Sequence, residues 1–546
     1  MAIKKVKIKG FKIFRDLFEI EFNDKINIII GNNEAGKSTI LEAINIALTG
    51  LYCGKSIKTE MSQYMFNNDM VAEYISSVNN GTPLDPPSIK IEIYFDGNID
   101  AEFQGNFNTD KVSSEGIIFE IAFDEKYRDE YEALIKEHSM VSLPIEYYEA
   151  TWTSFSRHTI TTRTIPVKSA MIDSSSYRYQ NGSDVYISKI VKDLLEPEEI
   201  TAVSQAHRKM KENFVNDDSI KAINARISSD TSIIDGDISL SVNLGTKNAW
   251  ENSLTTQLND IPFGYIGKGA QCIVKTELAL KQKKSQKAQV ILIEEPECHL
   301  SFSKLNNLID SLQEKYNEKQ LIITTHSSFV ANKLGLNNIT LLKENRKIKF
   351  CELDSADFFK KMPGYDTLRF ILCKKAILVE GASDELVVQK AYMDQNNGKL
   401  PIYNQIDVIS VGLAFLRFLE IADKLYINVC VVTDNDGNVE ALEQKYADYI
   451  NSQKDNIKIC YDNVVDEGDL KIGNKPYNYN TLEPKLLKAN GNNIALFNNS
   501  LGTDYEELDE LRKYMKNNKT EVALAIFDTA EKIKFPQYIM EAIKNE

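Results

Sequence analysis

Apolar and charged residues alternate from Ile3 to Phe22, in VKIKGF and again in LFEIEF, and a period of two predicts two short strands. INIII at 26–30 is apolar without alternation, as in a strand covered on both faces, and it leads through a glycine loop into STILEAINIALTG, which has helical spacing. Further strand patterns are SIKIEIYF at 88–95, GIIFEIAF at 116–123 and RTIPVKSAMI at 163–172. DSSSYRYQNGS reads as a linker, residues 186–226 as helical, and 228–237 as a Ser/Asp/Gly-rich break. VILIEEPECHL at 290–300 and LIITTHSS at 321–328 look like buried strands with polar ends, and CELDSADFFKKMPGYD at 351–366 like a second linker. The remainder alternates strand and helix: KAILVE, DELVVQKAYM, QIDVISV, LAFLRFLEIADKL, INVCVVTD. Such βαβαβ order predicts an α/β fold whose parallel sheet carries its chemistry at the carboxyl ends of the strands.

Length changes this picture little: at roughly 150 residues per domain, 546 residues make three or four units. The 43% hydrophobic and 26% charged content is globular. No apolar run reaches the ~18 residues of a membrane span, and MAIKKVKIKG has no signal-peptide core, so a cytoplasmic, non-membrane protein is expected. Seven scattered cysteines without CxxC spacing read as reduced core residues and disfavour zinc. A formal charge of −15 argues against a broadly basic nucleic-acid binder, leaving KQKKSQK at 281–287 and Arg157, Arg163 and Lys168 as local basic candidates.

Two stretches carry chemistry. GNNEAGKS at 31–38 satisfies G-x-x-x-x-G-K-[ST]. Gly31 and Gly36 let the backbone N–H groups of Asn32, Asn33, Glu34 and Ala35 converge on phosphates, Lys37 reaches the β/γ-phosphates, and Ser38, followed by Thr39, supplies a Mg²⁺ ligand. ATP with one Mg²⁺ is the expected ligand. Glu294 would hold the metal through water, Glu295 would orient the attacking water, and His326 would contact the γ-phosphate. Lys37 and Glu294 lie 257 positions apart, which points to the split head of an ABC-type ATPase. Between them FGYIGKGAQCIVKTELAL, with Gly267, Lys268 and Gly269, resembles the ABC signature segment that binds the γ-phosphate of a partner subunit. The second stretch pairs AILVEGASDELVVQK with VCVVTDNDGN: Glu380 and Asp384 beside Asp434 and Asp436 at neighbouring strand ends would repel unless a divalent cation sat among them. Oxygen-only ligands suit Mg²⁺ or Mn²⁺, and two such ions can drive in-line hydrolysis of a phosphodiester.

The opening strands resemble those of SMC- and RecF-type ATPase heads, and EGASD followed by TDND resembles the TOPRIM domain of topoisomerases, primases, RecR and the OLD (overcoming lysogenization defect) nucleases. With EEPE at 294–297, the whole chain is similar to the OLD family, of which the Gabija nuclease subunit is one relative. That resemblance implies that Glu380, Asp384, Asp434 and Asp436 are metal ligands or acid/base groups, with Glu483 a further ligand and Lys519 stabilising the scissile phosphate. The implied architecture is an ABC/SMC-like head (1–185 and 236–350), a helical dimerisation insert (186–235), a linker (351–372) and a Rossmann-like TOPRIM domain (373–546). The implied function is an ATP-gated DNA endonuclease or nickase, a homodimer or higher homo-oligomer, in anti-phage defence or DNA repair, with a helicase-like partner as a further implication. Two alternatives stay open: a topoisomerase- or primase-like enzyme, and a DNA clamp or sensor that does not cut.

Overall fold

The structure is a computed structural model that describes the chain apart from residues 98, 137, 174–193, 230–239, 243–255, 282–285, 344–345, 350–353, 452–453 and 545–546. Two compact units divide it: one is built on residues 1–326, and the other on 327–343 and the chain from 348 onward. Among the described residues no helix is long and apolar enough to cross a membrane.

In the first unit the alternating segments form an antiparallel sheet. Strands β1 (Ala2–Lys9), β2 (Phe18–Glu21), β4 (Ile89–Asp96) and β5 (Ser114–Phe123) run in the order β2-β1-β4-β5, and β6 (Tyr148–Ser154) pairs with β5. Ile3, Val6 and Ile8 of β1 are buried, while register sets Lys7 against Glu19 and Glu92, opposite charges directly across the ladder. A second sheet is parallel, with β3 (Ile26–Gly31), β7 (Ser169–Asp173), β8 (Val290–Glu294) and β9 (Gln320–Thr324) in the order β7-β8-β9-β3. Its central strands are buried on both faces, as their unbroken apolar runs require. Pairing of Glu294 with Thr324, and of Thr324 with Ile29, brings the ends of β8, β9 and β3 together although they are far apart in sequence.

Local differences from the sequence reading have simple causes. RTIPVKSAMI becomes a strand only from Ser169, because Pro166 cannot join a ladder and Lys168 Nζ donates to the Thr162 and Arg163 carbonyls, 3.2 and 2.9 Å away, holding a turn. The 351–366 segment, read as linker, contains a helix, Ala356–Lys361, anchored by the fully buried Phe359 against Phe418. Of the expected helical insert, α2 (Pro197–Asn216) and α3 (Asp218–Ser229) are described; residues 174–193 and 230–235, with most of the first linker, lie outside the described residues. So do residues 282–285 of KQKKSQK and Cys351; of the other cysteines, Cys272, Cys373, Cys430 and Cys460 are buried.

The second unit has the expected βαβαβ order. Strands β10 (Lys375–Val379), β11 (Ile406–Ser410), β12 (Asn428–Val432) and β13 (Ile457–Cys460) form a parallel sheet in the order β11-β10-β12-β13. Helix Ala382–Gln395 follows β10 and packs with helix Lys519–Asp528 over a core that includes Val379, Val388, Tyr392 and Ile526. The two middle strands, β10 and β12, are those whose carboxyl ends run directly into the loops that carry Glu380 and Asp434.

Candidate nucleotide and carboxylate sites

In the first unit the phosphate loop joins β3 to α1 (Lys37–Thr49). Gly36, the residue before the helix, has φ +94°, and a Cβ there would lie 2.5 Å from Ile13 Cδ1, so both backbone and space demand glycine. Asn32, Asn33 and Glu34 are exposed, with Glu34 itself left-handed at φ 64°, while Gly31, Gly36, Lys37 and Thr39 are buried and Ala35 and Ser38 half-buried. Lys37 Nζ donates to the Gly31 and Asn32 carbonyls at 3.0 and 2.9 Å, folded back across its own loop. Burial pulls this ammonium below its ordinary pKa against the attraction of Glu295, Glu294 and Glu297.

Those glutamates come from the end of β8. Glu295 has φ 43°, and its carboxylate lies 3.4 Å from His326 Nε2 and accepts from Cys298 Sγ at 3.3 Å; these contacts hold its pKa below the usual range. Glu297 was not singled out from the sequence, yet its buried carboxylate accepts from Thr325 Oγ1 (2.7 Å) and from the His326 N–H (2.6 Å), tying the β8 loop to the end of β9. Its other oxygen, Oε2, is buried without a hydrogen-bond partner, and burial raises its pKa. The third glutamate of EEPE was the available signal. Gly269 lies at the start of α4 (Lys268–Lys281), where a Cβ would sit 2.5 Å from the His299 carbonyl oxygen. Within one chain, then, this glycine lets the signature-like helix approach the β8 loop; Gly267, by contrast, faces open space.

In the second unit Glu380 follows β10, and its carbonyl accepts from Gly412 N–H at 3.0 Å. Asp384 sits in the first turn of the following helix, where Oδ2 accepts from the Gly381 N–H at 3.0 Å. Burial, then the charges of Glu483 and Glu380, push its pKa up to about 6 against the pull of Lys519. Asp434 is more deeply buried: Oδ2 accepts from Leu482 N–H (3.1 Å) and Oδ1 from the Tyr538 hydroxyl (3.4 Å), and burial with the charges of Asp384, Glu483 and Asp436 raises its pKa well above the carboxylate range. Asp436, at φ 47°, accepts from Asn478 Nδ2 at 3.0 Å. Glu483 is buried at the start of helix Leu482–Ala489, 3.5 Å from Lys519 Nζ. Burial lowers the Lys519 pKa, but Glu483, Asp434 and Asp384 outweigh it and hold it above its ordinary value. Six residues from four separate segments are thus within electrostatic reach of one another. Among the described residues no three His, Cys, Asp or Glu side chains are drawn into a ready-made metal cage; several of these carboxylates are turned toward protein donors instead. The donor set nonetheless fits a divalent cation: all the candidate donor atoms are oxygen, Asp384 and Asp434 are held protonation-prone by burial and then by the neighbouring carboxylates, and Lys519 supplies one positive charge against them. Tyr538 and Asn478 had no local sequence signal, since nothing in the chain near Asp434 points to them.

Residues 1–331, more than half of the chain, match the family described as AAA ATPase domain. The chain belongs to this AAA ATPase family. Residues 371–436 match the TOPRIM domain of overcoming lysogenization defect-like proteins, so the AAA ATPase is followed by an OLD-like TOPRIM domain, the architecture of the OLD family. Among curated proteins the AAA ATPase is similar to the DNA replication and repair protein RecF of Clostridium acetobutylicum, 36% identical over 18% of this chain and 25% of that protein. It is also similar to the chromosome partition protein Smc of Halothermothrix orenii, 32% identical over 19% of this chain and 10% of that one. These matches therefore span a quarter or less of the relatives' own lengths. Among solved structures, the SMC head domain from Thermotoga maritima aligns with 64% of this chain and 100% of its own at 13% identity and a TM-score of 0.30, and the RecF–ATP structure of the RecFOR pathway with 64% and 98% at 12% and 0.31.

Proposed function

We propose that this AAA ATPase is an ATP-binding, divalent-metal-dependent DNA endonuclease or nickase of the OLD type, acting in DNA repair or anti-phage defence. One observation carries the reading: Glu380, Asp384, Asp434, Asp436, Glu483 and Lys519 gather at the carboxyl ends of neighbouring parallel strands in a chain that also holds a phosphate loop. Glu380, Asp384, Asp434, Asp436 and Glu483 would hold one or two Mg²⁺ or Mn²⁺ ions, which when bound polarise a phosphodiester and lower the pKa of water. Lys519 is placed to offset charge on the scissile phosphate. Asp434 is oriented by two protein donors, the Leu482 N–H and the Tyr538 hydroxyl.

In the head, Gly31–Thr39 bind ATP, with Mg²⁺ at Ser38 and Glu294, while Glu295 and His326 attend the γ-phosphate. The pairing of Glu295 with His326, and of Glu297 with the His326 backbone, supports a corner that would respond to nucleotide and gate a cutting site in the proposed 373–546 domain. Gly269 of a second copy would complete the nucleotide site in a homodimer, and a helicase-like protein is a further partner of the type. The testing experiment is cleavage of supercoiled and linear DNA with Mg²⁺ or Mn²⁺, with and without ATP, beside Glu380→Ala and Lys37→Ala. Metal-dependent cutting that Glu380→Ala loses supports the nuclease; equal inertness of wild type and Glu380→Ala in every nucleotide state favours the non-cutting clamp or sensor.

A further inference from the structure

The second unit contains a cavity of about 640 Å³ beside the carboxylate site. It lies at the end of β13, the strand next to β12, between helices Leu482–Ala489 and Gln537–Ala542. Tyr538, itself buried, connects the two: it is among the residues lining the cavity, and its hydroxyl donates to Asp434. Its size falls in the ~300–1,000 Å³ range of small-ligand sites, enough for one nucleotide and too small for a base pair with two backbones.

The lining identifies the chemistry. Lys485 Nζ is 2.7 Å from both Asp462 and Asp466, and Lys488 is paired with Asp466, so the ammonium groups are already neutralised and a bare phosphate gains little. Aromatic surface from the half-buried Tyr461, with the amides of the exposed Asn463 and Gln537, instead offers stacking and donor–acceptor groups for a heterocyclic base. On the other side of the cluster, Leu413 follows the end of β11 and is 81% exposed, on a loop pinned by the Val411 and Gly412 N–H groups to the Val379 and Glu380 carbonyls. An apolar side chain therefore rims one flank of the carboxylates and a base-sized cavity the other.

We propose that this cavity seats one unpaired nucleotide of the DNA strand whose phosphodiester lies at the carboxylate cluster, the base entering against Tyr461. The inference rests on the nuclease reading and adds a substrate class to it: strands with at least one unpaired nucleotide beside the cut. A fully paired duplex must first unstack a base, which slows its cleavage.

The test uses the full chain and oligonucleotides, single-stranded or fully paired, with 2-aminopurine at successive positions. Cut sites are mapped in Mg²⁺, and fluorescence is read with Ca²⁺ and Glu380→Ala. Ala489→Trp fills the cavity and Gln537→Ala removes an amide without shrinking it; matching thermal melts show that each folds. The expected result is a fluorescence change at one position next to the cut and a single-strand preference of on the order of tenfold or more, both lost in Ala489→Trp and reduced in Gln537→Ala. Cutting with preference and fluorescence unaltered in Ala489→Trp overturns the cavity's role and leaves the nuclease standing. A position-specific signal abolished by Ala489→Trp, without cutting by wild type, overturns the nuclease and keeps the nucleotide seat. Free 2-aminopurine nucleotide bound with the same sensitivity while the strand shows no signal assigns the cavity to a free nucleotide and overturns the DNA form.

Discussion

Lys37 and Asp384 show how burial tunes single groups in opposite directions. Lys37 is folded onto its own loop and destabilised as a cation, so phosphate is a better partner than the carbonyls it now bonds. Lys37→Ala is expected to weaken ATP binding at least tenfold by titration calorimetry while leaving the melting temperature of the nucleotide-free protein nearly unchanged. Asp384 is raised to about 6 and Asp434 is raised as well. A carboxyl whose folded pKa lies above its unfolded value contributes stability that is complete below about pH 4 and lost as pH rises through the folded pKa. In EDTA the protein should therefore lose stability between pH 4 and pH 7, by on the order of 2 kcal/mol from Asp384. Asp384→Asn should flatten that slope, and Mg²⁺ should restore stability at pH 7.5 for wild type but not the variant; melts across pH, with and without metal, check it. The residue types of both sites were legible because strand-end motifs announce them. Glu297, Asn478 and Tyr538 were not, because their roles depend on which loop each one faces.

At the scale of elements, the glycines near the signature-like helix separate two explanations of one motif. Gly269 abuts the His299 carbonyl whereas Gly267 meets nothing within 4 Å. Gly269→Ala is expected to push the helix from the β8 loop and cost about 1–3 kcal/mol by denaturant unfolding, with Gly267→Ala within about 0.5 kcal/mol of wild type. If Gly267→Ala instead proves the more damaging to ATP hydrolysis alone, the open glycine is the one that meets nucleotide. Strands were legible from unbroken apolar runs, and the βαβαβ order from their alternation with amphipathic helices. The helix at Ala356–Lys361 was missed because its polar, Pro-flanked surroundings look like linker, and the packing that holds it, Phe359 on Phe418 and Tyr365, joins residues that no local pattern links.

For the whole molecule, the expected helical insert supplies the assembly prediction. Met210 and Phe214, four apart on α2, are exposed at 56% and 46%. Replacing both by glutamate is expected to shift the protein toward monomer in multi-angle light scattering, and to reduce ATP hydrolysis if the signature segment of a second copy completes the nucleotide site. An unchanged mass would overturn an assembly role for this face of α2.

From the sequence alone came the element types, the phosphate loop, the strand-end carboxylates and the α/β class, because each is encoded within a dozen neighbouring residues by period, turn chemistry and side-chain type. Tertiary structure alone decided which strands lie side by side, that Glu297 bonds to the end of β9, that Gly269 is needed by the His299 carbonyl, and that a cavity opens beyond Tyr538. Those facts depend on register between strands up to about three hundred residues apart and on packing of helices late in the chain, and no local pattern carries that information.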